Sequence, residues 1–241
     1  MLHSSKSNGM VVVMRTREYG QFCGLARAAE LLGQRWTMLI LRDLLVGPRR
    51  YSDLAAGLPG IPTNVLAARL KELEQDGLVV RQARGGGDRA IVYQVTGRAE
   101  ELVPALDALA SWGAAGMRVP REGEVVTEAA LVTALRVAAA GGRPPGVRRA
   151  VTYVVRAGEA VAHAIVSGTR VTAGPGEHPA PDLTIVARSG PGFREMLAGT
   201  LGADEAVAEG VIEVSGDKAL LAEFAATFRV PYSPSLTGPA A

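Results

Sequence analysis

Cysteine is almost absent from this sequence: Cys23 stands alone among 241 residues. One thiol cannot close an intramolecular disulfide or build a multi-cysteine zinc site. A chain so poor in cysteine fits a reducing compartment. Histidine is scarce as well, at His3, His163 and His178. His163 sits in an apolar strand-like run and His178 in a Gly/Pro loop, and none of the three has a carboxylate or thiol at motif spacing. Nucleophilic and acid–base catalysis need such an orienting partner. No His/Cys/Asp cluster has metal-ligand spacing, and Gly85–Gly87 lack the Gly-x-x-x-x-Gly-Lys-Ser/Thr pattern of a phosphate loop. These absences predict a non-enzyme with no metal and no cofactor. No apolar run approaches the ~20 residues of a membrane span. Met10–Met14 is too short for a secretory signal and lacks a cleavage pattern. We therefore expect a cytoplasmic protein with no membrane partner.

What is present points to a packed fold. Hydrophobic residues make up 48% and charged residues 21%, enough for a core and too apolar for wholesale disorder. The net charge of +2 hides a split. Through Pro120 there are 15 Lys and Arg against 11 Asp and Glu; from Arg121 onward the counts are 11 and 13. A polyanionic partner is to be sought in the first half, although so modest an excess makes the position of each charge decisive.

The pattern along the chain gives an order of elements. Leu25, Ala28, Ala29 and Leu32 have helical spacing over 24–33, closed by Gly33. Residues 37–47 read as a buried central helix. A short helix over 51–58 has Ser52 as N-cap and ends at Pro59–Gly60. The next helix has Pro62 in its first turn, Leu66, Leu70 and Leu73 on one stripe, and Gly77 as its stop. Residues 78–82 and 90–95 form a hairpin with a glycine-rich, arginine-bearing tip. A helix over 97–116 follows, kinked at Pro104. Three helices, a two-stranded wing and a further helix describe a winged helix-turn-helix. After a linker, Thr127 caps a helix over 127–142. Strands are expected over 149–156, 160–166, 182–188 and 210–216, with helices over 191–199 and 217–228. The expected fold class is α+β: an N-terminal winged helix-turn-helix, mainly α with a two-stranded wing, and a C-terminal α+β domain. The expected boundaries are a flexible tail over 1–18, the winged-helix domain over 19–118, a linker over 119–126, the second domain over 127–230 and a disordered tail over 231–241.

The outward face of the 62–76 helix carries the functional argument. With Leu66 at the buried centre and 100° per residue, Asn64, Ala68, Lys71 and Gln75 point away, flanked by Thr63, Ala67 and Glu72. Ala67 and Ala68 are small, so another surface can come close. Thr63 and Asn64 suit base edges in a major groove, and Lys71 suits phosphate or guanine. Small and polar residues also cover any solvated helix, so the face alone is ambiguous. The surroundings tip the balance. Arg81, Arg84 and Arg89 cluster on the wing, and Arg49 and Arg50 precede the short helix. Arginine meets phosphate or a narrow minor groove. Arg69 lies nearer the buried edge, where it braces packing or pairs with a carboxylate.

These residues resemble a known family. YGQFCGLARAAELLGQRWTMLILRDLLVGPRRYSDL, GIPTNVLAARLKELEQDGLVVR and VYQVTGRAEELVPALDALASWG are similar to the HxlR (MarR-like) family of bacterial winged-helix regulators, over roughly residues 19–116. The marks are Cys23 before the first helix, Gly-x-x-Trp at Gly33–Trp36, Gly-Pro-Arg-x-Tyr-x-x-Leu at 47–54, the RLKELEQDGLV run, the YxVT strand and LASWG. One departure is visible: the family's wing enters this strand through a proline and an acidic residue, and here the run is GGGDRAIVYQV. The resemblance implies a homodimer on double-stranded DNA, held by the N-terminal segment and the post-wing helix. It also implies redox sensing in some members at the position of Cys23, where Arg27 one turn along would lower the thiol pKa. The alternative for Cys23 is a small buried hydrophobe.

PDLTIVARSGPGFREMLAGTLGADEAVAEGVIEVSGDKALLAEFAATF in turn resembles sterol-carrier-protein-type domains, over about 127–230. That implies an α+β layer around an apolar tunnel for a small hydrophobic ligand. Leu131, Leu135, Phe193, Met196, Leu197, Leu220, Leu221, Phe224 and Phe228 are its candidate lining, or else plain core. The expectation is a dimeric, sequence-specific transcriptional regulator modulated by a small hydrophobic ligand. The alternative is a lipid-carrier or protein-interaction module in which the winged helix only dimerises.

Overall fold

Leucine spacing decides the first elements. In the computed structural model, which describes residues 18–83, 90–117, 120–142, 147–188 and 192–230, four helices come first: α1 (Gly24–Leu32), α2 (Thr37–Val46), α3 (Tyr51–Gly57) and α4 (Thr63–Gln75). Leu66, Leu70 and Leu73 of α4 are fully buried against Ile40, Leu41 and Leu44 of α2 and Leu54 of α3. Each leucine removed from water stabilises the fold by about 1.5–3 kcal/mol. Strands β1 (Val79–Ala83) and β2 (Ile91–Val95) pair antiparallel as the wing. Arg49 adds a third rung: its N–H donates to the Tyr93 carbonyl at 3.0 Å, and the Tyr93 N–H donates back at 2.8 Å.

Two local expectations change. Ser52 lies inside α3 and is not its cap; helix formation starts at Tyr51, and the Arg50 N–H donates to the Asp53 carboxylate at 3.0 Å. The 97–116 helix is two helices, α5 (Gly97–Glu100) and α6 (Val103–Ala115), with Pro104 in the first turn of α6. A proline there needs no N–H partner, so it starts a helix without kinking one.

Beyond residue 120, α7 (Glu128–Gly141) begins where the Thr127 hydroxyl accepts the Ala130 N–H at 3.3 Å. Five strands follow: β3 (Val147–Ala157), β4 (Ala160–Gly168), β5 (Arg170–Pro175), β6 (Leu183–Ala187) and β7 (Ile212–Gly216). Their order is β5-β4-β3-β6-β7, antiparallel except for the parallel β3–β6 pair. Helices α8 (Gly192–Ala198), α9 (Ala203–Ala208) and α10 (Leu220–Thr227) complete the layer. The edge strand β5 and the short helix α9 are additions to the expected order. Among the described residues, no helix is long and apolar enough to cross a membrane.

Helix α7 packs on β4 and β5 and also on α2 and α6. Polar ties reinforce that contact. The Arg136 guanidinium donates to both Asp107 carboxylate oxygens, at 2.6–3.0 Å, joining α7 to α6. Arg49 pairs with Glu128 at 2.6 Å. Arg194 of α8 donates to the Ala114 carbonyl at the end of α6.

Candidate nucleic-acid interface

The helix-turn-helix is α3, a turn, and α4. The turn is fixed by the Ile61 N–H donating to the Leu58 carbonyl at 3.1 Å, and by Gly60 at φ +80°. The Tyr51 hydroxyl then donates to the Thr63 carbonyl at 2.7 Å, pinning the start of α4 to α3. At the other end Gly77 takes φ +70°. The Leu78 N–H reaches the Leu73 carbonyl at 2.9 Å, and the Gly77 N–H reaches Glu74 at 3.1 Å. This double bond with buried Leu73 and Leu78 is a Schellman stop. The same end is tied to the wing, since the Thr96 hydroxyl donates to the Gly77 carbonyl at 2.8 Å.

This frame exposes Thr63, Asn64, Ala67, Ala68 and Lys71 together on one face of α4. Arg69 sits at the flank with its guanidinium 2.6 Å from Glu72, in the bracing role its position suggested. Arg50 is exposed beside the start of α3. Arg49 has a partner within the chain. Its guanidinium is held by Glu128, 79 positions on, so a phosphate has to compete with that carboxylate. Arg81 at the wing base lies 3.8 Å from Glu74 and 5.8 Å from the centre of the Tyr93 ring. Arg84 and Arg89 lie outside the described residues. One feature escaped sequence reasoning. Trp36 is left-handed, at φ +79°, so the Gln34–Trp36 turn brings its side chains to α4. The Gly-x-x-Trp spacing was its only signal.

Large apolar side chains outside α4 are also exposed. Leu25 and Trp112 are each 79% exposed, and Tyr19, Phe22, Leu109, Met117, Val125 and Val126 are also exposed. Leu25 therefore does not serve this chain's own core, whereas Leu32 of the same helix packs against it, and Ala26 is the only fully buried residue of α1. Cys23 lies here too and is exposed, so the small buried hydrophobe alternative fails. Its thiol pKa is lowered by the backbone N–H groups of Ala26 and Leu25 at the start of α1. Arg27 is not the cause, for its guanidinium turns to Glu30 at 2.9 Å.

The expected ligand-lining residues also come together, in one packed cluster. Leu131, Leu135, Met196, Leu197, Leu220, Leu221, Phe224 and Phe228 are buried, with Phe193 packed at the margin. The Phe224 ring lies 5.2 Å from Tyr153 and 4.6 Å from Phe228, centre to centre. Burial, then Glu223 and Asp182, push the Tyr153 phenol up to about 12. Among the described residues, no group of three or more His, Cys, Asp or Glu side chains is placed to hold a metal ion.

Comparison with known proteins bears on the first half. The family model described as HxlR-like helix-turn-helix matches residues 31–120. An uncharacterized HTH-type transcriptional regulator of Synechocystis, sll1512, is 34% identical over 96 residues, covering 40% of this chain and 71% of that protein. YvaP of Bacillus subtilis, another uncharacterized HTH-type transcriptional regulator, is 37% identical over 86 residues, covering 36% of this chain and 80% of its own. Among solved structures, the reduced form of the transcriptional regulator YodB from B. subtilis is 33% identical over 39% of this chain and 92% of that one, with a TM-score of 0.36. These relatives are regulators and not enzymes. Through its first half, the chain belongs to the HxlR-like helix-turn-helix family.

Proposed function

We propose that this protein is a dimeric, sequence-specific DNA-binding transcriptional regulator of the HxlR type, with a C-terminal layer that responds to a small hydrophobic ligand. The observation that carries the reading is the outward face of α4. Five small or hydrogen-bonding side chains are exposed on a helix whose opposite stripe is buried leucine. Thr63, Asn64, Ala67 and Ala68, in its N-terminal part, would enter the major groove. Lys71, Arg50 and the wing arginines Arg84 and Arg89 would meet phosphates and make affinity salt-dependent. Arg49 would join them only by leaving Glu128. The exposed apolar surface of α1 and α6 supports a two-fold dimer, which would present two α4 helices to half-sites about one helical turn apart. Cys23 beside that surface would sense oxidants through its thiolate.

The second half supports a sterol-carrier-like reading through its α+β layering alone. A ligand there acts only by binding one dimer geometry better than another. Helix α7, tied to α6 by Arg136–Asp107 and to the helix-turn-helix by Arg49–Glu128, is the route. The rival reading, a carrier or interaction module whose winged helix only dimerises, accounts for the apolar surface equally well but leaves the small, polar face of α4 without a use. Asn64→Ala separates the two. We expect it to lower the preference for the specific site over a scrambled duplex by about 1–3 kcal/mol, the usual worth of a bidentate base contact. An unchanged preference would remove Asn64 from base reading.

A further inference from the structure

A shallow basin lies beside the start of α4. Gln34, Arg35 and Trp36 form one wall and Pro62, Val65 and Arg69 the other, around about 400 Å³ of space open to solvent. Its position relative to the outward face follows from helix geometry. At 100° per residue, Val65 and Arg69 lie roughly 100° and 140° round from Asn64. Val65 is thus on the flank of the face that would enter a groove and Arg69 lies further round, near the buried stripe, so the basin opens at the side where a sugar–phosphate ridge bordering that groove would run.

The wall facing that ridge is built at a cost. Trp36 holds a left-handed backbone, a conformation that costs a non-glycine residue of order 1–3 kcal/mol. The turn it makes brings Gln34, Arg35 and Trp36 to α4, immediately before α2 begins at Thr37. The Arg35 guanidinium lies over the Trp36 ring, 5.2 Å from its centre. That stack occupies the face of the cation and leaves its in-plane N–H donors available. Among the described residues no carboxylate pairs with Arg35, whereas the Arg69 guanidinium across the basin lies 2.6 Å from Glu72, although its buried Nη1 makes no well-aligned hydrogen bond. Beyond its stack on Trp36, Arg35 therefore brings to a concave surface a fork of donors that no carboxylate among the described residues compensates.

We infer that this basin seats a phosphate of the DNA backbone, with Arg35 as its charged donor and Gln34 beside it. The inference rests on the DNA-binding reading of α4. It adds a positioning contact from the α1–α2 turn, on the side of α4 away from any that Lys71 makes. A phosphate contact carries no base information, so its loss weakens all sequences alike.

The test is fluorescence anisotropy of the full chain with its specific duplex and with a scrambled duplex, over a salt series. Variants are Arg35→Ala, Arg35→Lys and, as a control on α4, Lys71→Ala. Each phosphate neutralised contributes a slope of about −0.9 in log K against log salt. Arg35→Ala should flatten that slope by about 0.9 per protomer and weaken both duplexes by the same factor. That factor is about eightfold per protomer, and so about sixtyfold for a dimer, at 0.1 M salt relative to 1 M, from the same counterion release. Arg35→Lys, which keeps the charge, should restore most of the slope. Unchanged affinity and slope in Arg35→Ala, while Lys71→Ala lowers both, would overturn the basin assignment and leave the α4 reading standing. Weakening on the specific duplex alone would also overturn it, in favour of base contact. If the wild type binds neither duplex, the α4 reading fails and this inference with it.

Discussion

Phe224→Ala asks whether the apolar interior of the second half is solid core or a space held for a ligand. The ring is fully buried. It meets Tyr153 at 5.2 Å and Phe228 at 4.6 Å, and Phe228 in turn meets Tyr153 edge-on at 6.0 Å. Three rings in mutual contact leave little slack. In a packed site, truncating Phe to Ala removes transfer free energy and leaves a cavity, together about 3–5 kcal/mol. The two ring contacts account for about 0.5–1.5 kcal/mol each of that. At about 2–4 °C per kcal/mol for a chain of this size, the melting temperature should fall by roughly 6–20 °C. Calorimetry and urea unfolding of both proteins measure the loss, and Phe193→Ala, at the margin of the cluster, should cost less. A loss below about 1 kcal/mol for Phe224→Ala would refute the reasoning, because it would mean that the ring already borders empty space. The same variant should gain uptake of a small apolar probe if the site is solid core, since an apolar cavity has then been opened in it.

Other perturbations follow from the same geometry. Trp112→Asp should convert the proposed dimer to monomer by sedimentation. A buried tryptophan anchor is worth about 2 kcal/mol or more per side, and an unchanged mass would remove α6 from the interface. Alkylation of Cys23 should have its pH midpoint below that of a free cysteine peptide, because a lowered pKa leaves more thiolate at neutral pH. Arg27→Ala should leave that midpoint in place; a rise would restore Arg27 as the cause. Arg136→Ala should destabilise by about 1 kcal/mol, less than a buried charge-assisted bond because both partners are about a quarter exposed. A neutral result would mean that the α6–α7 tie adds nothing to packing.

The parts that were legible in the sequence share a cause. Leu66, Leu70 and Leu73 repeat at helical spacing, Gly77 stops the helix with a conformation glycine favours, and the wing strands are β-branched runs around a glycine tip. Local chemistry settles each of these. The parts missed depend on something further away. Strand β5 is short, carries Gly174 and Pro175 and forms by edge pairing to β4, so its own pattern is weak. Helix α9 has six residues, too few for a period to declare itself. The exposure of Leu25 is not legible either, because periodicity reports which face is apolar, not whether the same chain covers it. The Arg49–Glu128 pair is not legible because its partners lie 79 positions apart in sequence. The Gln34–Trp36 turn shows in the sequence only as the Gly-x-x-Trp spacing, since a left-handed tryptophan leaves no trace in composition.

The most direct measurement is anisotropy of the wild-type protein with a duplex from immediately upstream of its own gene, beside a scrambled duplex of equal composition, at two salt concentrations. We expect at least a tenfold preference for the first, about 1.4 kcal/mol, with both affinities falling as salt rises. Failure to bind either duplex, even at low salt, would contradict the assignment of the α4 face to DNA.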